Sequence, residues 1–245
     1  MSSSVSAALN RAPAAARAGD RRFYTGMAVA AAAAVFLGFS RTFFLRGYFD
    51  PTPLAVPFVV HGAVFTAWIA LFVTQTSLVA ARRVAVHRKL GWAGAALAVA
   101  MIGVAMVAAV ASGRRDIAAG YVEESLTFFA TPVLSMAVFA ALIAAAIALR
   151  GRAETHKRLM LLATLSLLDA AVARWPFPSL VGTPLGYYGI ADAFILVAIL
   201  YDFASRRSVS AVYVWGGLAI VAGQWLRDVL GATALWHAFA TFLLN

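Results

Sequence analysis

Long apolar stretches separated by short polar connections make up almost the whole chain. Seven of them reach the length of about 18 residues at which an apolar helix can cross a bilayer. The last apolar stretch, Thr233 to Leu244, is too short to cross, and it predicts an interfacial helix or a cap folded back on the bundle. The pattern predicts an all-α, polytopic membrane helical bundle. The seven predicted spans are residues 24–44, 54–81, 90–112, 126–149, 156–175, 185–204 and 210–228.

The connections between the spans leave little sequence for a soluble domain. Pro, Gly or charged residues mark most of these connections. We therefore expect residues 23–245 to form one transmembrane helical domain. Residues 1–22 are rich in Ser, Ala and Arg and lack the apolar core of a secretory signal, so they predict a disordered cytoplasmic tail. Whether this tail is also a targeting segment stays open.

The basic residues alternate from one connection to the next. Most of the 20 Lys and Arg precede the first span or follow the second, fourth and sixth spans. Seven crossings place these residues on one side of the membrane, and the positive-inside rule makes that side cytoplasmic. The sequence thus predicts a bacterial inner-membrane protein with a cytoplasmic N-terminus and a periplasmic C-terminus.

The composition agrees with a membrane protein and excludes several chemistries. Hydrophobic residues make up 63% of the chain and charged residues 12%, whereas a soluble domain has about 25% charged residues. The net charge of +10 follows from the topology, so membrane lipid is an expected partner and nucleic acid is not. Since there is no cysteine, disulfides, thiolate metal sites and iron–sulfur clusters are excluded.

Three ionisable residues, His61, Asp169 and Asp192, lie inside predicted spans. Such residues are costly in hydrocarbon and are by default candidates for a functional site. At a rise of 1.5 Å per residue, all three lie roughly 10 Å below the periplasmic surface. We expect them to form a polar site in the outer leaflet, in which Arg174 pairs with Asp192. Other polar residues near this level extend the candidate site: Arg174, Tyr188, Gln224 and Arg227.

Two interpretations of this polar site remain open. Buried His, Asp and Arg residues can fix helix packing by satisfying one another. Alternatively, a histidine beside carboxylates can relay protons or bind a ligand. On the second span His61, Trp68 and Gln75 recur seven residues apart and therefore share one helix face.

A short motif occurs twice at the cytoplasmic face. Residues 87–90 read His-Arg-Lys-Leu at the start of the third span, and residues 156–159 read His-Lys-Arg-Leu at the start of the fifth. Basic residues beside spans are what topology alone requires. The functional interpretation is that His87 and His156 are axial ligands of a b-type haem, with the neighbouring bases binding its propionates. His61 and His237 would then form the outer pair, and haem iron is the only metal expected.

Four histidines, two at each face, resemble the arrangement in diheme b-type transmembrane cytochromes, where histidines on neighbouring helices bracket one haem per leaflet. Residues 156–163 also resemble a motif of small, uncharacterised bacterial inner-membrane proteins, some of which are linked to terminal-oxidase assembly. The first resemblance implies haem-linked electron transfer, and the second implies respiratory-complex maturation or haem handling.

Three functions therefore stand as hypotheses. The first is electron transfer linked to haem b or a quinone. The second is a proton-coupled carrier of a small molecule that uses His61, Asp169 and Asp192 as a relay without a cofactor. The third is an accessory or assembly subunit of a respiratory membrane complex. The histidines His87 and His156 distinguish the first two hypotheses, because both are needed to bind haem and both are replaceable in a carrier.

Overall fold

The computed structural model describes residues 14–245, and these residues form helices joined by short turns, without a strand. The first helix begins at Ala14 rather than at residue 24, and the part of the predicted tail before Ala14 lies outside the described residues. The helices are α1 (Ala14–Phe39, continued by a π-helical turn at Ser40–Phe44), α2 (Arg46–Phe49), α3 (Val56–Ala80), α4 (Val84–Ala118), α5 (Val122–Phe128), α6 (Ala130–Ala148), α7 (Ala153–Leu165), α8 (Leu168–Val172), α9 (Pro178–Val181), α10 (Pro184–Arg206), α11 (Ala211–Gly231) and α12 (Ala234–Leu244).

Within residues 14–245, five helical stretches are long and apolar enough to cross a membrane. The fifth predicted span is split into α7 and α8, and the seventh corresponds to α11, which carries Gln224, Arg227 and Asp228 near its end. The all-helical membrane bundle is confirmed, whereas the number of seven crossings is not. The five stretches are Ala18–Phe44, Val56–Ala80, Val84–Ala118, Val122–Ala148 and Pro184–Arg206.

Contacts between helix ends show that the helices alternate in direction. The start of α1, the start of α7, the end of α10 and the start of α11 meet at one end of the bundle. We call this end, which includes the connections 81–83, 149–152 and 207–210, the basic face. The opposite end, which includes the connections 45–55 and 173–183, is called the far face.

The helices α7 and α8 lie in the centre of the bundle. They contact α1, α6, α10 and α11, and eleven of the fourteen residues from Leu159 to Val172 are buried. Between the two helices the α-helical pattern is interrupted at Ser166 and Leu167. Irregular backbone at membrane depth is tolerated where protein rather than lipid surrounds it. The central position therefore explains how this segment is both short and broken.

The C-terminal helix α12 caps the bundle at the far face. Of the two predicted arrangements, an interfacial helix or a cap folded back on the bundle, this is the second. Trp236 is buried against Phe129, and its Nε1 donates a hydrogen bond to the carbonyl oxygen of Leu126 at 2.8 Å. Arg114 Nε donates to the carbonyl oxygen of Leu244 at 3.0 Å. Trp236 thus lies in a small apolar core, where its indole N–H finds a protein partner.

The crossing of α1 and α8 depends on a glycine. A Cβ atom added at Gly38 would lie 2.1 Å from the carbonyl oxygen of Ala171. We expect Gly38→Ala to lower the free energy of unfolding by about 1–3 kcal/mol, because the two backbones would have to separate. Gly26→Ala on the same helix is the control, since a Cβ there would meet nothing within 4 Å. Thermal unfolding in detergent checks both variants, and equal melting temperatures would contradict the close crossing.

Candidate functional site

A buried ion pair joins α8 and α11 in the half of the bundle next to the far face. Asp169 and Arg227 are each 5% exposed, and Arg227 Nη2 donates a hydrogen bond to Asp169 Oδ2. Arg227 Nη1 also donates to Ser135 Oγ on α6 at 2.9 Å. The other carboxylate oxygen, Asp169 Oδ1, accepts a hydrogen bond from the backbone N–H of Ala170 at 2.7 Å. Each charge makes the burial of the other tolerable, because an unpaired charge at this depth is strongly unfavourable.

Three further predicted residues lie beside this pair. Gln224 Nε2 donates a hydrogen bond to Asp192 Oδ1 at 3.0 Å, which connects α11 to α10. The guanidinium of Arg227 lies 5.1 Å from the ring centre of Tyr188, within the range of a cation–π contact. The structure thus brings together five of the polar residues singled out in the sequence. With Ser135 they form what we call the polar cluster: Ser135, Asp169, Tyr188, Asp192, Gln224 and Arg227.

Arg174 and His61 lie outside the polar cluster. Arg174 Nη1 donates to the carbonyl oxygen of Ala170 at 2.6 Å, and the guanidinium lies 5.1 Å from the ring centre of Phe39. The expected pairing of Arg174 with Asp192 is not observed. Arg174 lies two residues after the end of α8, and its side chain satisfies a carbonyl of that helix, as basic residues at helix C-termini often do.

A small cavity of about 10 Å³ adjoins the ion pair and is lined by Ser135, Ser166 and Arg227, among others. This volume is close to the minimum that holds one water molecule. Arg227 Nε and Gln224 Oε1 are buried and have no hydrogen-bond partner among residues 14–245. The space beside the ion pair therefore suits a water molecule and is too small for a metabolite.

A second group of buried charges, which the sequence analysis missed, lies at the basic face. Asp202 is 1% exposed and accepts hydrogen bonds from Arg158 Nη2 at 2.6 Å and Arg206 Nη1 at 2.8 Å. The backbone N–H of Ser210 donates to its other oxygen at 2.9 Å. A carboxylate on α10 thereby joins α7 to the start of α11.

Asp20 and Glu154 extend this group of charges. Lys157 Nζ lies 2.5 Å from Asp20 and 2.6 Å from Glu154, and Arg206 Nη2 lies 2.5 Å from Asp20. Burial raises the pKa of Glu154, but the hydrogen bond and charge of Lys157 and the charge of Arg158 outweigh burial and hold this pKa below its ordinary value. We call the six residues the basic-face network: Asp20, Glu154, Lys157, Arg158, Asp202 and Arg206.

The two histidines of the repeated motif, His87 on α4 and His156 on α7, approach each other at the basic face. Their ring centres are 6.4 Å apart, and the ring planes make an angle of 74°. His156 Nδ1 lies 2.8 Å from the carbonyl oxygen of Ala146. Because a carbonyl only accepts, Nδ1 is the donor, and Nε2 of the neutral ring is left as an acceptor. His87 Nδ1 is buried without a partner among the described residues.

The other two histidines have separate partners. The ring of His61 stacks on Phe65, with ring centres 4.1 Å apart. His237 Nε2 lies 3.1 Å from Thr127 Oγ1, and its Nδ1 lies 3.3 Å from a carboxylate oxygen of Glu123. Both nitrogens of His237 therefore face residues of α5 and fix α12 in place. The contacts of the described residues do not join His61 to His237.

Four buried polar atoms form a further series along α3 and α4. His61 Nδ1, Trp68 Nε1, Gln75 Oε1 and His87 Nδ1 have no hydrogen-bond partner within residues 14–245. Each unsatisfied buried group costs about 1–3 kcal/mol, so four of them would cost an amount comparable with the whole stability of a typical domain, about 5–15 kcal/mol. This cost indicates that water or a ligand satisfies these groups.

No three His, Asp or Glu side chains in the described part of the chain are placed to hold a metal ion. Comparison with protein-family models, with curated proteins and with solved structures found no match. Any assignment of function must therefore come from the geometry of the sites.

Proposed function

We propose that this integral membrane protein is a b-type cytochrome that transfers electrons, with one haem held between His87 and His156. The observation that carries this proposal is the 6.4 Å separation of the two ring centres. A metal–imidazole bond is about 2 Å long, so two imidazoles on opposite sides of one metal have ring centres roughly 6 Å apart. The two rings therefore have the spacing that ligation of one iron by both would require.

The hydrogen bond from His156 to Ala146 also supports haem ligation. Histidines that bind metals usually donate their other ring N–H to a carbonyl or a carboxylate, which fixes the tautomer and the ring orientation. In His156 this donor is Nδ1, so Nε2 is the nitrogen available to the iron.

Basic residues beside the histidine pair suit the propionates of a haem. Arg88 and Lys89 follow His87, and Arg150 and Arg152 precede His156. Guanidinium and ammonium groups bind carboxylates through charge-assisted hydrogen bonds. The propionates would therefore point to the basic face, and the porphyrin would lie towards the apolar interior.

Binding of the iron by both histidines would favour electron transfer over chemistry at the iron. No coordination position would then remain open for a substrate, and open positions are what catalytic metal sites retain. A quinone dissolved in the membrane is the electron partner that we propose, either directly or through other subunits of a membrane complex.

We further infer that the basic face is cytoplasmic and that the membrane is the bacterial inner membrane. The excess of Lys and Arg at this face supports the orientation. Seven crossings then require α7 with α8, and α11, to span in addition to the five long apolar stretches. Since protein surrounds α7 and α8, they need neither the length nor the apolarity of a lipid-facing helix.

Haem content of single histidine variants tests the assignment. We expect His87→Ala and His156→Ala to lose most of the haem that co-purifies with the protein, because each removes an axial ligand. His61→Ala and His237→Ala are the matched controls and should retain it, since neither residue lies at this pair. Pyridine haemochrome spectra of protein from haem-replete cells give the content. Haem retained in both inner variants, or lost only in the outer ones, would refute the assignment.

A proton-coupled carrier is the second candidate, and one observation favours it. The break between α7 and α8 lies beside the Asp169–Arg227 pair, and transporters often build their binding sites where a membrane helix is interrupted. In a carrier, His87 and His156 would be replaceable, whereas Asp169 and Asp192 would be needed. An accessory or assembly subunit, the third candidate, would bind neither haem nor substrate when isolated.

A further inference from the structure

One face of α3 carries three side chains that each have a buried polar atom, and the series continues onto α4. His61, Trp68 and Gln75 follow one another at intervals of seven residues, which places them on one side of the helix. They extend over about 21 Å of helix, roughly two thirds of a 30 Å hydrocarbon core. His87 follows on α4 at the basic face. We call His61, Trp68, Gln75 and His87 the polar line.

The polar line faces the protein interior. Trp68 is 3% exposed and packs edge-on against Phe139 of α6, with ring centres 5.3 Å apart. Gln75 Nε2 lies 4.0 Å from the position that a Cβ of Gly91 on α4 would take. Gly91 is one helical turn after His87, so the line passes from α3 to the histidine on α4.

Threonine hydroxyl groups of α3 differ from the polar line because they have hydrogen-bond partners within the helix. Thr66 Oγ1 donates to Gly62 at 2.6 Å, and Thr74 Oγ1 donates to Ala70 at 2.8 Å, both within the helix. The polar line instead has four buried atoms without a partner among the described residues. The hydroxyl groups of Thr66 and Thr74 are thus satisfied within the helix, whereas the buried polar atoms of the polar line are not.

The polar line runs from one face of the bundle to the other. His61 lies in the second turn of α3, which starts directly after the far-face connection 45–55. At the other end His87 lies beside His156, with ring centres 6.4 Å apart. The line therefore begins near the far face and ends at the histidine pair.

We propose that the polar line is a proton path that connects the far face with the His87–His156 pair. Successive groups on α3 are about 10 Å apart, and about three hydrogen-bonded waters fill such an interval. The indole N–H of Trp68 and the amide oxygen of Gln75 anchor these waters. At the far-face end the imidazole of His61 takes up a proton on one nitrogen and releases one from the other, and at the basic end Nδ1 of His87 only hydrogen-bonds the last water. Protons move in this path without any change in covalent bonding elsewhere.

Proton flux into proteoliposomes tests the path and does not require haem to be bound. Vesicles that contain an entrapped pH dye are given a potassium diffusion potential with valinomycin. We expect wild-type protein to speed proton entry over protein-free vesicles, and Trp68→Phe and Gln75→Leu each to reduce that protein-dependent rate about tenfold. Thr74→Val, which removes a neighbouring hydroxyl that bonds within α3, should leave the rate unchanged.

Each outcome decides the proposal. Wild-type vesicles no faster than protein-free ones would overturn it, as would full conduction by Gln75→Leu protein that melts like the wild type. Should Trp68→Phe fail to fold, Gln75→Leu alone carries the test. Haem absorbance recorded on the same preparations separates this proposal from the proposed function, because conduction without haem would support the path and contradict the cytochrome.

Discussion

Asp202→Ala is expected to lower the free energy of unfolding by about 3–5 kcal/mol, the usual result of removing one partner of a buried ion pair. The substitution leaves the buried guanidinium of Arg158 without its carboxylate, and Arg206 and the backbone of Ser210 lose an acceptor as well. Because these groups belong to α7, α10 and α11, three helices lose their common contact at the basic face. Chemical or thermal unfolding of the purified protein in detergent measures the loss.

An exposed ion pair provides the control for this prediction. Arg115 and Asp116 are paired at 2.8 Å, but their side chains are 62% and 37% exposed. Solvent screens such pairs, so Asp116→Asn should cost no more than about 1 kcal/mol. If Asp202→Ala and Asp116→Asn destabilise the protein equally, the basic-face network does not hold the helices together in the way described here.

Asp169→Asn is expected to destabilise the protein by about 3–5 kcal/mol, because it leaves Arg227 charged and buried without a counterion. Replacing both partners, as in Asp169→Leu with Arg227→Met, should cost less than the single change, since no uncompensated charge then remains. Unfolding of the two single variants and the double variant gives this coupling directly.

The same variants distinguish a structural pair from a proton site. If Asp169 acts mainly as a proton site, Asp169→Asn should melt like the wild type and show only a functional defect. If the ion pair is mainly structural, Asp169→Asn instead lowers the melting temperature of the protein. A double variant less stable than both single variants would also contradict the structural role of the Asp169–Arg227 contact.

Hydropathy predicted the bundle because lipid-facing helices must be long and apolar. It was least informative for the segment that protein surrounds. The hydropathy pattern predicts one span over residues 156–175, although the helix is broken at Ser166 and Leu167. No Gly or Pro lies at the break, so the local sequence gave no sign of it. Hydropathy also does not predict the start of α1 at Ala14. The stretch before residue 24 contains Arg and Asp residues and is too polar to be identified as part of a span.

The polar cluster was predictable from depth, since polar residues at one level of neighbouring spans tend to face one another. The choice of partners was not predictable: Asp169 pairs with Arg227, whereas Arg174 bonds its own helix. Ser135 gave no signal, because a lone serine is common in membrane helices.

The basic-face network was missed because only the Lys and Arg residues were used, to set the orientation. Acidic partners stand four residues before bases in Glu154 with Arg158 and in Asp202 with Arg206. This spacing brings side chains together on a helix, so it was available as a signal. The contribution of Asp20 was not, because Asp20 lay in the segment expected to be a disordered tail.

A reduced-minus-oxidised visible spectrum of the wild-type protein, repeated after adding carbon monoxide, tests the central claim most directly. Haem held by His87 and His156 predicts a b-type spectrum, about one haem per chain, and no change with carbon monoxide because both axial positions are filled. A colourless protein from haem-replete cells would contradict the cytochrome assignment. A haem spectrum that shifts with carbon monoxide would show an open axial position and contradict ligation by both histidines.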